Sequence, residues 1–135
     1  MVANSDVLLL SRKLIKFRSI TPQNDVAIEI VENELLRAGF ECFRVDSGGI
    51  CTLFARRGEN NHKKPFGFHG HTDVVPEGDV SSWSCDPFGG EIKNGLLYGR
   101  GAADMKTAVA AFVIAAKEVS EEFFFDGALV IMLTG

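Results

Sequence analysis

Phe66-Gly-Phe-His-Gly-His-Thr-Asp-Val-Val-Pro76 and, further on, Leu96-Leu-Tyr-Gly-Arg-Gly-Ala-Ala-Asp-Met-Lys106 decide how this sequence folds. The first run passes from a short apolar stretch, Pro65 to Gly70, into a polar turn. That is the profile of a strand that delivers His71, Thr72 and Asp73 at its C-terminal end. The second run passes from a hairpin signal into a loop of small residues and then, near Met105, into an apolar helical stretch. Asp104 stands at that junction. Each run therefore sets a residue type that binds a hard or borderline metal at the end of a regular element.

Upstream, Asn4 or Ser5 can cap a helix whose first turn holds Asp6. Val7, Leu10, Leu14 and Phe17 recur at helical spacing, which predicts an amphipathic helix over 6–17. Arg18 to Pro22 reads as a connector, because Pro22 disfavours helical backbone at Thr21. A second helix is predicted over 24–38, with Ile28, Val31 and Leu35 as its buried stripe and Gly39 ending it. Residues 41–46 and 50–56 read as a hairpin about Ser47-Gly48-Gly49, with Phe43 and Val45 sharing a face. Gly58 to Lys64 is a polar loop, in which His62 reads as a solvated side chain.

Downstream, Pro76 to Gly90 reads as a loop carrying Trp83, Cys85, Asp86 and Pro87. Asn94-Gly95 between Glu91-Ile-Lys93 and Leu96-Leu-Tyr98 is a two-residue hairpin signal. A third helix is predicted over 105–119, with Met105, Val109, Phe112, Ala116 and Val119 on one face. Its other side is also mostly Ala, Val and Ile, so it is expected to be buried nearly all round. Glu121 to Asp126 reads as a loop in which Phe123-Phe124-Phe125 is too apolar to stay free. Ala128 to Leu133 reads as an apolar strand of the central-sheet type. Uneven alternation of helices and strands, with two hairpins, gives an α/β fold with a mixed β-sheet flanked by helices.

A length of 135 residues bounds the chain to one domain, and 46% apolar residues supply a core. The net charge of −4, with no basic run longer than Arg56-Arg57 or Lys63-Lys64, argues against a nucleic-acid or anionic-membrane partner. Cys42, Cys51 and Cys85 are an odd set without a C-x-x-C, so no disulfide framework or zinc knuckle is expected. That usage points to the reducing cytoplasm. The basic residues near Val7 to Leu10 follow that apolar run instead of preceding it, unlike a signal peptide. Ala108 to Ala116 is too short to span a bilayer.

The chemistry centres on three residues. In an extended segment His71 and Asp73 point the same way. The Asp73 carboxylate can then accept a hydrogen bond from one ring nitrogen of His71 and fix the other as a metal donor. The bland alternative is a His–Asp pair that stabilises a turn. Asp104 follows small residues that allow close backbone approach and precedes an apolar helix that would hold it rigidly; otherwise it is a simple helix cap. His69, on the same strand face as His71, is a third ligand or a partly buried structural histidine. Arg100 is a surface charge or an ion-pair anchor for its loop, and Trp83 and Phe88 read as loop anchors.

Together these runs resemble the co-catalytic zinc aminoacylase/carboxypeptidase family. The likeness rests on His69-Gly-His-Thr-Asp-Val-Val-Pro76, Glu77-Gly-Asp79, Trp83, Pro87-Phe88 and Gly95 to Lys106, and extends to Arg18-Ser-Ile-Thr-Pro22. It implies a zinc-peptidase-like catalytic domain in which His71 binds the first metal, Asp73 orients it and assists catalysis, and Asp104 bridges both metals. It also implies a cis peptide between Asp104 and Met105, and it assigns His69 no role. A complete site would hold two Zn2+, with Co2+ able to replace them, and would hydrolyse an amide of a small-molecule substrate. The form Gly-Arg-Gly-Ala-Ala-Asp-Met-Lys implies N-succinyl-L,L-diaminopimelate as that substrate. Another deacylase of the family, acting on acetylornithine, or a peptidase is the competing enzyme reading; a non-catalytic remnant is the third.

In the family, the strand matching Ala128 to Gly135 leads into a Glu-Glu pair that supplies the general base and a metal ligand. Residues 1–135 are accordingly expected to be the N-terminal part of the catalytic metal-binding domain, inactive alone. The rest of that domain, and a lid or dimerisation domain through which the full-length protein forms a homodimer, would lie beyond. The strand at 128–133 is then expected to present apolar surface and unpaired backbone, which favours self-association.

Overall fold

The computed structural model describes residues 5–22, 26–58, 64–122 and 127–135. His62, Phe123 to Phe125 and the expected start of the second helix at Asn24 lie outside the described residues. Helix α1 is Asp6–Ile15, α2 is Val26–Arg37 and α3 is Thr107–Glu122. The strands are β1 Glu41–Ser47, β2 Ile50–Gly58, β3 Pro65–His71, β4 Glu91–Lys93, β5 Leu96–Tyr98 and β6 Ala128–Thr134.

Ser5 caps α1, its side-chain oxygen accepting from the Leu8 N–H, which satisfies one of the helix's free donors. The helix stops at Ile15, two residues short of the predicted stripe. Leu10 and Leu14 are buried, but Phe17 lies in the turn beyond and is largely exposed. In α2, Ile28, Val31 and Leu35 are fully buried as their spacing requires, and Gly39 ends the helix in the left-handed region at φ 79°. Asn94 (φ 52°) and Gly95 (φ 78°) form the tight turn between β4 and β5.

The four-stranded sheet has the order β1-β2-β6-β3, with β3 and β6 parallel and the other pairs antiparallel. The mixed sheet and the central-sheet character of the last strand are thus as expected, but its expected unpaired backbone is not. β6 does not leave its backbone unpaired: it lies inside the sheet, bonded to β2 on one side and β3 on the other. The physical reason is the crossover: β3 runs up, the chain returns through α3, and β6 adds parallel to β3 between it and the hairpin. Among the described residues the sheet edges are β1 and β3.

One sheet face carries Leu53, Ala55, Ile131 and Leu133, all fully buried in the same core as Leu14, Val31, Leu35, Val109 and Val113 of the helices. Phe68 stacks on Phe112 of α3 with ring centroids 4.3 Å apart. The prediction that α3 is buried all round fails. Val109, Ala110, Val113 and Ala116 are buried, while Ala108, Ala111 and Ala115 are exposed. A helix over a sheet has one face inward, and alanines expose little apolar area on the other.

Candidate metal centre

β3 ends at His71, and the chain continues through Thr72, Asp73 and Val74 alongside the connector after α1. Ile20 and Val74 form a parallel bridge, and the Val74 N–H donates to Ser19 O at 2.7 Å. The Ser19 hydroxyl donates to Thr72 O at 2.6 Å. The turn that carries His71 and Asp73 is therefore pinned on its outer side by residues 19–20.

The second arm is the segment Gly99 to Lys106. Gly99 is required by space: a Cβ there would lie 2.4 Å from Ile15 Cγ2. Gly101 is required twice over, by its φ of 80° and by Val74 Cγ1 at 2.5 Å from where a Cβ would stand. These contacts press the loop onto α1 and the His71 turn. The next residues, Ala102–Lys106, form a wide broken turn in which Asp104 (φ −134°, ψ 99°) and Met105 leave helical geometry. The Asp104–Met105 peptide is cis, as the resemblance implies. Lys106 is wholly buried, and its ammonium donates to Leu14 O (2.9 Å) and Phe17 O (2.8 Å) at the end of α1. Burial pushes its pKa down to about 8, while the Asp73 charge pulls the other way.

These two arms bring His71 and Asp104 together. His71 Nδ1 stands 3.1 Å from the Asp73 carbonyl and 3.2 Å from Asp73 Oδ1. Both neighbours only accept, so Nδ1 is placed to donate to them. On the other side of the ring Nε2 stands 3.1 Å from Asp104 Oδ1, which also only accepts. Either a ring proton or a cation lies between these two atoms. Two donors each bonded to zinc at tetrahedral angle are about 3.3 Å apart, so the pair fits a shared metal ion. The Asp73 carboxylate lies against the far nitrogen. Among the described residues no group of three or more His, Cys, Asp or Glu side chains is arranged to hold a metal ion.

A cleft of about 260 Å³ opens at this point, lined by His71, Asp73, Asp104, Val75, Arg100 and the glycines of the loop. The Asp104 side chain is 86% exposed into it. His69, one of the residues left open, is exposed on the strand, not partly buried. Arg100 is an anchor, though not through an ion pair: its guanidinium lies over the Trp83 ring at 5.2 Å and donates to Glu77 O at 3.4 Å. The Glu77 carboxylate instead pairs with Arg18 at 2.8 Å, and Arg18 lies over Phe88 at 5.0 Å. Trp83 holds its loop through Nε1 donating to Glu77 O at 2.9 Å. Cys42, Cys51 and Cys85 form no disulfide with one another, and burial pushes the Cys42 thiol up to about 11. Sequence reasoning missed Lys106 and Thr21. A lysine after Asp-Met carries no sign that it turns inward, and the Thr21 hydroxyl, 2.9 Å from Asp73 Oδ2, is joined to the site only by the tertiary fold.

The model of peptidase family M20/M25/M40 matches residues 67–135, and the chain belongs to that family. Both arms of the site fall within the matched part. The chain is 52% identical over 130 residues to succinyl-diaminopimelate desuccinylase of Ruegeria pomeroyi and 50% identical to that of Cereibacter sphaeroides, in each case over 96% of this chain and 34% of the relative. It thus spans about a third of the length of the curated relatives it matches. Among solved structures, an M20 family metallo-carboxypeptidase from Sulfolobus solfataricus matches with TM-score 0.85 at 22% identity, over 96% of this chain and 30% of that one. Human carnosine dipeptidase 1 matches with TM-score 0.83 at 23% identity, over 94% and 31%. These two share the fold. Among the described residues no helix is long and apolar enough to cross a membrane.

Proposed function

We propose that residues 1–135 are the N-terminal part of the catalytic domain of a cytoplasmic two-zinc amidohydrolase that converts N-succinyl-L,L-diaminopimelate and water to diaminopimelate and succinate. The observation that carries the metal reading is His71 Nε2 set 3.1 Å from Asp104 Oδ1, with Nδ1 turned to Asp73. The substrate rests on the roughly half-identical desuccinylases and on the family motifs around Asp104.

His71 would hold the first zinc, and Asp104, open to the cleft, would bridge it to the second; Co2+ could take the place of either. When bound, the metal pair lowers the pKa of a shared water and stabilises charge on the amide oxygen. This chain's own contribution is positional. Asp73 would hold the imidazole at the angle a metal donor needs. The Gly99 to Gly101 loop, packed on Ile15 and Val74, sets where Asp104 stands. A catalytic zinc takes about three protein ligands, so these donors need partners from a longer chain, as does the general base. The 135 residues alone are therefore expected to be inactive, and dimerisation to reside in a domain outside them.

The test is succinate release from N-succinyl-L,L-diaminopimelate by the zinc-loaded full-length protein, beside acetylornithine and dipeptides. Turnover of the succinyl compound, abolished in His71→Ala and Asp104→Ala, supports the reading. Preference for acetylornithine or a dipeptide would overturn the substrate, and full activity in both variants would overturn the site.

A further inference from the structure

We propose that Thr21 is a positioning residue that acts on the metal-binding ring of His71 through Asp73. Asp73 has two carboxylate oxygens with separate partners: Oδ1 lies 3.2 Å from His71 Nδ1, and Oδ2 accepts from the Thr21 hydroxyl at 2.9 Å. A carboxylate held at one oxygen alone turns about its Cβ–Cγ bond. Held at both, it keeps Oδ1 on the imidazole. Thr21 is thus the outer end of a relay that runs Thr21–Asp73–His71–Asp104.

The relay is useful only if Thr21 is itself fixed, and three contacts fix it. The Ser19 hydroxyl donates to Thr72 O and the Val74 N–H donates to Ser19 O, which tie the connector to the turn that bears Asp73. Lys106, two residues beyond Asp104, donates to Phe17 O, which ties the same connector to the other arm of the site. The connector after α1 therefore touches both arms, and Thr21 is its one side chain hydrogen-bonded to Asp73 among the described residues. The motif reading of the sequence gave this segment no such work.

The inference rests on the metal reading of His71, so the test separates the two. Thr21 is exposed, and Thr21→Val keeps its shape and β-branching while removing the donor. The His71 ring is read by nitrogen-15 NMR in metal-free protein, and Co2+ binding by the paramagnetic shift of the same ring. In Thr21→Val the His71 ring resonances move, and Co2+ affinity falls about 3- to 10-fold, less than the 10- to 100-fold typical of a partner directly on the ligand. Thr21→Ser restores both. In an Asp73→Asn background the Thr21→Val effect disappears, which a merely structural role would not produce. An unmoved His71 ring in Thr21→Val, or an equal effect with and without Asp73, overturns the proposal. With Co2+ binding measured on the full-length protein, a ring that responds in the metal-free state while the unsubstituted full-length protein binds no Co2+ upholds the positioning and overturns the metal reading.

Discussion

On the covered face of the four-stranded sheet, Leu53, Ala55, Ile131 and Leu133 have no exposure. On the opposite face Phe43, Val45 and Met132 stand 57%, 59% and 41% exposed. The residue types are alike, and β6 contributes to both faces. The register makes the contrast sharp, since Phe43, Phe54, Met132 and His69 form one cross-strand row on the open face. Alternation of apolar and polar residues marks a sheet with one face in water, yet β1 alternates and turns its apolar Phe43 and Val45 outward, while β6 does not alternate at all. The comparison teaches that burial here follows from what the helices reach, and that the strand sequence suits cover on both faces. His71, at i+2 from His69, belongs to the open side of β3, at the end of the strand where the candidate site lies.

The strongest way to break the contrast is to remove the same kind of mass from each side. Leu133→Ala, on the covered face, is expected to cost about 3 kcal/mol, the lost transfer energy plus the cavity left behind. Met132→Thr, its immediate neighbour on the open face, should cost about 1 kcal/mol or less, since 41% of that residue already meets water. Chemical denaturation of the two variants checks both values. Equal losses would mean that the open face is covered in solution.

Lys106 sharpens the comparison, because it is a charged residue on the covered side. Lys106→Met fills the same channel but leaves the carbonyls of Leu14 and Phe17 without their donor, at an expected cost of about 2 kcal/mol. Its pH dependence has a definite sign. The folded-state pKa, about 8, is below the ordinary lysine value of 10.5, because desolvation disfavours the ammonium. Between those values the unfolded chain holds a proton that the folded chain has released, so stability rises with pH across that window and is level below it. Thermal melts of the parent chain should show this rise, and melts of Lys106→Met should lack it.

Glu34 gives a smaller effect at the helix surface. Its carboxylate accepts from Lys117 at 2.7 Å, and that hydrogen bond holds its pKa below the usual carboxylate value. A depressed folded pKa means stabilisation that is complete above the unfolded pKa and lost as pH falls through the folded one. Glu34→Gln should therefore cost about 0.5 kcal/mol at neutral pH and nothing in strong acid, as read by denaturation at the two conditions.

How much of this was legible in the sequence depends on how local the cause is. The Asn94-Gly95 turn, the Ser5 cap and the Ile28-Val31-Leu35 stripe each follow from neighbours in the chain, and each was read correctly. So was the pairing of His71 with Asp73, two residues apart on extended backbone. The central character of β6 was read from its apolar run, but the expectation of unpaired backbone failed, because its partners depend on which strand the crossover through α3 reaches. An all-apolar strand announces that it is buried without saying between which partners. The α3 error has the same origin: Ala108, Ala111 and Ala115 are as compatible with a buried face as with an exposed one. The contacts of Lys106 with Leu14 and Phe17 span most of the chain, and no local pattern encodes them.

The open face offers the last and smallest change in folding energy, with the clearest change in behaviour. Sheet edges at β1 and β3, and the row of Phe43 and Met132 between them, favour association of one copy with another where nothing else covers them. Replacing Phe43 and Met132 with lysine puts two like charges into that row, separated by Phe54. Both side chains already face solvent, so the effect on the unfolding midpoint should be small, about 0.5 kcal/mol for each substitution. Sedimentation velocity is expected to show the parent chain associating with rising concentration and the double variant remaining a monomer. If the parent is monomeric throughout, the open face is not a sticky one, and the contrast between the faces reduces to packing alone. If the double variant still associates, the contact lies along the free edge of β3, and a lysine at Phe66, itself 64% exposed at the start of that strand, becomes the substitution that must abolish it.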